Sequence, residues 1–174
     1  MIDGSGLPPA FGLSDVHASY TTNNHWTTNG SSVPGQFATF SFTTAQSLTN
    51  FYLWNHLSTV PPANSTNYYV TQFDLIFRNS SNNIIDSINN LTAVAGGGAV
   101  QVYSFAQIDN VSSVTFSIDS NAGEIYTGLA EVRFGLTAIP EPPVAAFTLG
   151  LLGLLAGVRR RILRCAPRDI GKLF

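Results

Sequence analysis

Val70-Thr71-Gln72-Phe73-Asp74-Leu75-Ile76-Phe77-Arg78 places Phe73, Leu75 and Phe77 on one face of an extended chain and Asp74 and Arg78 on the other. A period of two marks a strand with one dry side and one wet side. The pattern recurs further along the chain. Residues 111–118 set Val114, Phe116 and Ile118 against Thr115 and Ser117, and residues 129–134 point Ala130, Val132 and Phe134 inward with Glu131 and Arg133 outward. Residues 48–54, 84–88 and 100–105 carry shorter versions. In residues 37–42 the set Phe37, Phe40 and Phe42 needs one phase slip, which a bulge absorbs. No segment before Pro140 has a helical period. Seven or eight short strands in one domain predict an all-β, two-sheet sandwich over residues 1–138.

The connections follow from turn chemistry. Asn79-Ser80-Ser81-Asn82-Asn83 reads as a hairpin turn and Ala95-Gly96-Gly97-Gly98-Ala99 as a flexible link. Residues 1–36 are loop-like, and residues 55–69, with Pro61-Pro62, form the longest irregular insertion. Binding groups on a sandwich gather on such loops.

The domain ends at Ile139-Pro140-Glu141-Pro142-Pro143, where the prolines forbid helix. Residues 144–158, VAAFTLGLLGLLAGV, are uncharged and precede Arg159-Arg160-Arg161. As a helix this run spans about 22 Å, against about 30 Å for a bilayer core. It predicts one short transmembrane helix, eked out by arginine snorkelling and local thinning, with the arginines cytoplasmic. Residues 162–174 then form a basic cytoplasmic tail, or a spurious extension.

Before Ile139 only Arg78 and Arg133 are basic, against eight acidic residues, a net charge of −6. A phosphate backbone demands Lys and Arg, so nucleic acid is excluded as a partner. The single cysteine, Cys165, lies in the tail and leaves the sandwich without a disulfide. Met1 to Gly6 has neither a basic start nor an apolar run, so Met1 is expected to be an internal start with an export leader encoded upstream.

The chemistry-bearing residues point to binding rather than turnover. His17, His25 and His56 have no zinc spacing, and no nucleophile elbow or Walker loop is present. The expectation is no enzyme. The competing reading, a small glycan-cleaving enzyme, would draw a carboxylate pair from Asp74, Asp86, Asp109, Asp119, Glu124 and Glu131. Sugar recognition needs aromatic faces beside fixed polar groups. Asn24-His25-Trp26 supplies both, as do Tyr68-Tyr69 near Asn64 and Asn67, with Asn55-His56 at the same loop mouth. The alternative is that Trp26 plugs the sandwich end and the tyrosines begin a strand. The third reading is a structural or adhesive surface protein with no specific sugar ligand.

The order Pro140-Glu141-Pro142, apolar helix, Arg159-Arg160-Arg161 resembles the PEP-CTERM sorting signal of exopolysaccharide-producing Gram-negative bacteria. That resemblance covers residues 139–161. It implies export, transient residence in the inner membrane, and release to the cell surface or extracellular matrix by an exosortase, a membrane transpeptidase that reads Pro140, Glu141 and Pro142. A second resemblance rests on Asp3-Gly4-Ser5-Gly6-Leu7, Phe51-Tyr52-Leu53-Trp54-Asn55 and the stretch from Tyr126-Thr127-Gly128-Leu129 through Ala130-Glu131-Val132-Arg133-Phe134. Their order is similar to the discoidin (coagulation factor 5/8 type C) group of galactose-binding-like jelly rolls, over residues 2–135. It implies a jelly-roll topology, with the first strand partly upstream of Met1, and affinity for exopolysaccharide. It also implies a structural calcium on Glu131, helped by early-loop oxygens and Asp3 or Asp15; otherwise Glu131 pairs with Arg133 or faces water.

Overall fold

The computed structural model describes residues 7–10, 12–21, 23–28, 30, 33–57, 68–95, 98–123 and 125–136. The chain divides into two units, Met1–Thr137 and Ala138–Phe174, and every described residue lies in the first. Pro140, Glu141, Pro142, the apolar run 144–158, Arg159, Arg160, Arg161 and residues 162–174 fall outside the described residues, as do Asp3, Asn64, Asn67 and Glu124. Among the described residues no helix is long and apolar enough to cross a membrane.

The described residues form six strands: β1 (Trp26–Thr27), β2 (Gln36–Asn55), β3 (Val70–Arg78), β4 (Ile84–Thr92), β5 (Val100–Asn121) and β6 (Gly128–Leu136). They pair antiparallel in the order β1-β6-β2-β5-β3-β4. Two long strands therefore replace the four short ones expected at 37–42, 48–54, 100–105 and 111–118. The cause is visible in the β2–β5 ladder, whose register shifts between Ser41 and Gln46, between Gln46 and Leu48, and again before Asn50. A bulge breaks the apolar phase without ending the strand, so one bent strand reads as two. The slip lies later than the sequence placed it. Ala38 and Phe40 enter the core, whereas Phe37 is 63% exposed. β1 was also missed, because two residues are too few to show a period.

The two layers of the sandwich are joined into one hydrogen-bonded order because β2 and β5 run through both. Gln36 sits in the row of Ile118 and Phe73. Phe51 lies fifteen positions further along β2, about 50 Å away if the strand ran straight. Yet the Phe51 and Phe73 ring centroids are 5.8 Å apart. β2 and β5 must bend at their bulges and carry β1 and β6 over β3 and β4. The core between the halves is built from Phe51, Phe73, Phe77, Phe116, Leu48, Leu53, Leu75 and Ile118, all at 0% exposure. The Phe73–Phe116 pair stacks at 4.5 Å within one half, while Phe40–Phe134 at 5.6 Å joins the two.

The Asn79 turn is as expected. Its Oδ1 accepts from the Ser81 and Asn83 amides at 3.0 Å, and Asn82 takes a φ of 62°. Asparagine tolerates that left-handed conformation, which closes the β3–β4 hairpin.

Candidate functional site

At one end of the sandwich the segment preceding β1, the residues just past β2, the start of β3 and the start of β6 converge. Backbone bonds tie them: the Tyr20 amide to the Leu57 carbonyl at 2.8 Å, His17 to Gly98 at 2.7 Å, and Gly128 to Tyr68 at 2.7 Å. The convergence builds a chain of rings. His17 meets His25 at 4.9 Å and His25 meets His56 at 5.0 Å. Tyr20 sits 5.5 Å from His25 and 5.6 Å from His56. Tyr68 lies 5.6 Å from His56 and 5.6 Å from Tyr126, which carries the row to the surface.

His56 is the floor of this cluster. It is 4% exposed, and neither ring nitrogen has a hydrogen-bond partner. Burial alone pushes its pKa down from 6.5 to about 4. His25 falls further, to about 3, chiefly through burial and then through the neighbouring His56 and His17 rings. Its tautomer follows from its bonds. Asn24 Oδ1 accepts from His25 Nδ1 at 2.9 Å, which leaves Nε2 to accept from the Leu57 amide at 3.5 Å. Both imidazoles are neutral at pH 7. They present polar edges and apolar faces without charge, as a neutral hydroxylated ligand requires.

Gly128 is what lets His56 lie flat. A Cβ there would stand 2.5 Å from His56 Nδ1 and 2.9 Å from Cγ. Gly128→Ala should therefore destabilise the domain by about 1–3 kcal/mol, read from the urea midpoint. A midpoint equal to that of the parent would show that the ring moves aside freely.

The sequence grouped neighbours that the strand period separates. His25 joins the cluster, but the adjacent Trp26 turns to the core, paired with Leu129. Tyr68 joins it, whereas Tyr69 sits in a backbone bridge to Gly128. Successive residues of an extended chain point opposite ways. Asn55 and Asn24, read as ligand-binding, are committed to the scaffold. Asn55 is fully buried, its Nδ2 donating to the Val70 and Val94 carbonyls and its Oδ1 accepting from the Val70 and His56 amides. Asn24 accepts from the Thr21 amide at 2.6 Å and donates to the Ser19 carbonyl at 3.0 Å, closing the turn that presents His25. Sequence reading missed His17, Tyr20 and Tyr126 as members of the site. They come from loops with no period, and only the alternate phase of the paired strands could have hinted at them.

Glu131 does not face outward to water. It is 0% exposed, lies opposite Trp54 across the β2–β6 ladder, and meets Arg133 Nε at 2.8 Å. Its face is covered: the Trp54 indole, also fully buried, donates to the Asp15 carbonyl at 2.9 Å. A hard cation wants six to eight oxygens. Here the carboxylate already faces a guanidinium, and among the described residues no group of three His, Cys, Asp or Glu side chains is placed to hold a metal ion. The described donor set does not fit the calcium that the resemblance implied.

The acids proposed for glycan cleavage are dispersed. Asp119 is held above the usual carboxylate range by burial and by the neighbouring Asp74, whose Oδ1 accepts from the Asn90 amide at 2.8 Å. Asp109, bonded to Ser47 and Gln107, is held below that range, and Asp86 accepts from the Ser87 amide.

No family model matches the chain, and no curated protein does. Solved structures do. The family 32 carbohydrate-binding module of C. perfringens NanJ, solved with galactose, is 18% identical over 63% of this chain and 74% of that one, with a TM-score of 0.51. A CBM32 module from Clostridium perfringens, solved with GalNAc-β-1,3-galactose, is 17% identical over 75% of this chain and 89% of that one, at 0.53. The F5/8 type C domain of a Bacteroides fragilis protein is 18% identical over 63% and 71%, at 0.50. The fold is the galactose-binding-like jelly roll. At these identities the likeness speaks to the jelly roll itself and assigns it no ligand.

Proposed function

We propose that this chain is an exported, non-catalytic surface or matrix protein whose jelly roll binds exopolysaccharide at the ring-lined end. The observation that carries the reading is the row His25, His56, Tyr68 and Tyr126, uncharged and aromatic, above a buried imidazole with two unpartnered nitrogens. A buried polar group left without a partner costs about 1–3 kcal/mol; a sugar hydroxyl reaching His56 would recover it. Tyr faces suit the C–H face of a pyranose. The sugar-bound modules that share the fold support this reading, as does the tail, which resembles a sorting signal of exopolysaccharide-producing bacteria. Delivery is by the PEP-CTERM route, with an exosortase reading Pro140, Glu141 and Pro142.

Co-sedimentation of the full chain with neutral and acidic exopolysaccharides tests the binding half. Wild type should pellet with at least one polymer, and Tyr68→Ala should weaken that association about tenfold, since a stacked aromatic contributes on the order of 1–2 kcal/mol. Wild type failing on every polymer would leave the structural or adhesive reading in possession; sustained release of reducing ends would favour the enzyme. Mass spectrometry of the mature protein from its native cells tests the delivery half. The expected mass lacks Arg159, Arg160 and Arg161. An intact end at Phe174 in a cytosolic fraction would contradict it.

A further inference from the structure

At the opposite end of the β2–β6 ladder from the rings, the β2 bulge opens a groove of about 430 Å³, lined by Phe42, Thr43, Thr44, Arg133, Phe134 and Leu136 among others. Its volume falls within the roughly 300–1,000 Å³ of small-molecule sites. Phe42 and Phe134 meet edge to face at 5.3 Å, both only half-buried. Leu136 at the lip is 57% exposed. Ser41, Thr43 and Thr44 also line it.

Arg133 is the unusual component. It is one of two basic residues before Ile139 in a domain of net charge −6. Its side chain is 30% exposed, and its Nε lies 2.8 Å from a carboxylate oxygen of the fully buried Glu131. Burying a carboxylate is costly unless it is paired. A carboxylate so placed constrains the guanidinium that lines the groove. Guanidinium has five donors in a rigid fork that matches a carboxylate. Aromatic faces, hydroxyls and one oriented cation together suit an acidic sugar rather than a neutral one or a nucleic acid.

We infer that the groove between the β2 bulge and the end of β6 is a second saccharide site, selective for sugars carrying a carboxylate. It shares no residue with the ring-lined end and stands or falls independently of it.

Calorimetric titration of the full chain in detergent micelles, with a galacturonic acid trimer and a neutral galactose trimer, tests the site. The acidic trimer should bind at least tenfold more tightly than the neutral one. Arg133→Gln should weaken it at least tenfold, and so should Thr44→Trp, which fills the groove without touching the ion pair. Phe37→Ala, exposed on another part of β2, should bind as wild type does. Because Arg133→Gln strips Glu131 of its counter-charge, its melting temperature is recorded beside the titration, and Thr44→Trp decides if that variant is unfolded. No binding of the acidic trimer, equal binding of both trimers, or full binding by Thr44→Trp would overturn the inference.

Discussion

Phe51→Ala should remove about 3–5 kcal/mol of folding free energy, enough to unfold a domain of this size at ordinary temperature if its total stability is near the lower end of the usual 5–15 kcal/mol. Phe51 is fully buried and touches rings from both halves of the folded sheet: Phe116 at 5.7 Å and Phe73 at 5.8 Å on one side, Phe134 at 5.5 Å and Tyr103 at 6.1 Å on its own. Truncation loses the transfer free energy and leaves a cavity that the surrounding strands, pinned by their ladders, close only partly. Phe37→Ala, on the same strand but exposed, should stay within about 0.5 kcal/mol of wild type. Urea denaturation of the pair reads the difference. Equal costs would mean that the sheet is not folded over Phe51.

The second large effect is an acid limb between pH 6.5 and 4. His25 and His56 have folded pKa values of about 3 and about 4 against 6.5 in an unconstrained chain. Below pH 6.5 the unfolded chain takes up protons that the folded protein refuses, so stability is fully present above 6.5 and is lost as pH falls toward the folded values. At pH 4.5 a site with its full shift costs about 2.7 kcal/mol. His25 is partly exposed and solvent screens its share, so the pair together should cost on the order of 3–4 kcal/mol. Asp119, with its pKa raised, works in the opposite sense as pH falls. Thermal melts across that window should show a steep decline in wild type. His56→Phe, which keeps the ring and removes the titration, should flatten it. An unchanged acid limb in that variant would place the titrating groups elsewhere.

Strand positions were legible wherever one face is dry. β3 was read almost to the residue because Phe73, Leu75 and Phe77 pack inward without interruption. β2 and β5 were cut in two because a bulge changes phase without breaking the hydrogen-bonded ribbon. Glu131 was misplaced because alternation assumes one wet face, while the first half of β6, residues 128–132, is buried on both, with Trp54, opposite Glu131, bonded to the Asp15 carbonyl. The ring cluster was half legible. His25, His56 and Tyr68 were singled out as polar aromatics on loops, but their partners Tyr20 and Tyr126 are brought in by backbone bonds between segments far apart in sequence. Trp26, next to His25 in sequence, is packed against the core, because successive residues of an extended chain point opposite ways.

The most direct measurement is a nitrogen-15 spectrum of the histidine-labelled full chain, recorded at pH 7 with and without the exopolysaccharide of its native cells. Both His56 nitrogens begin unpartnered, so the account predicts that one of them shifts as it gains a hydrogen bond, with His25 following and the protein remaining folded. Histidine signals that stay put at a polymer concentration that saturates binding would contradict it.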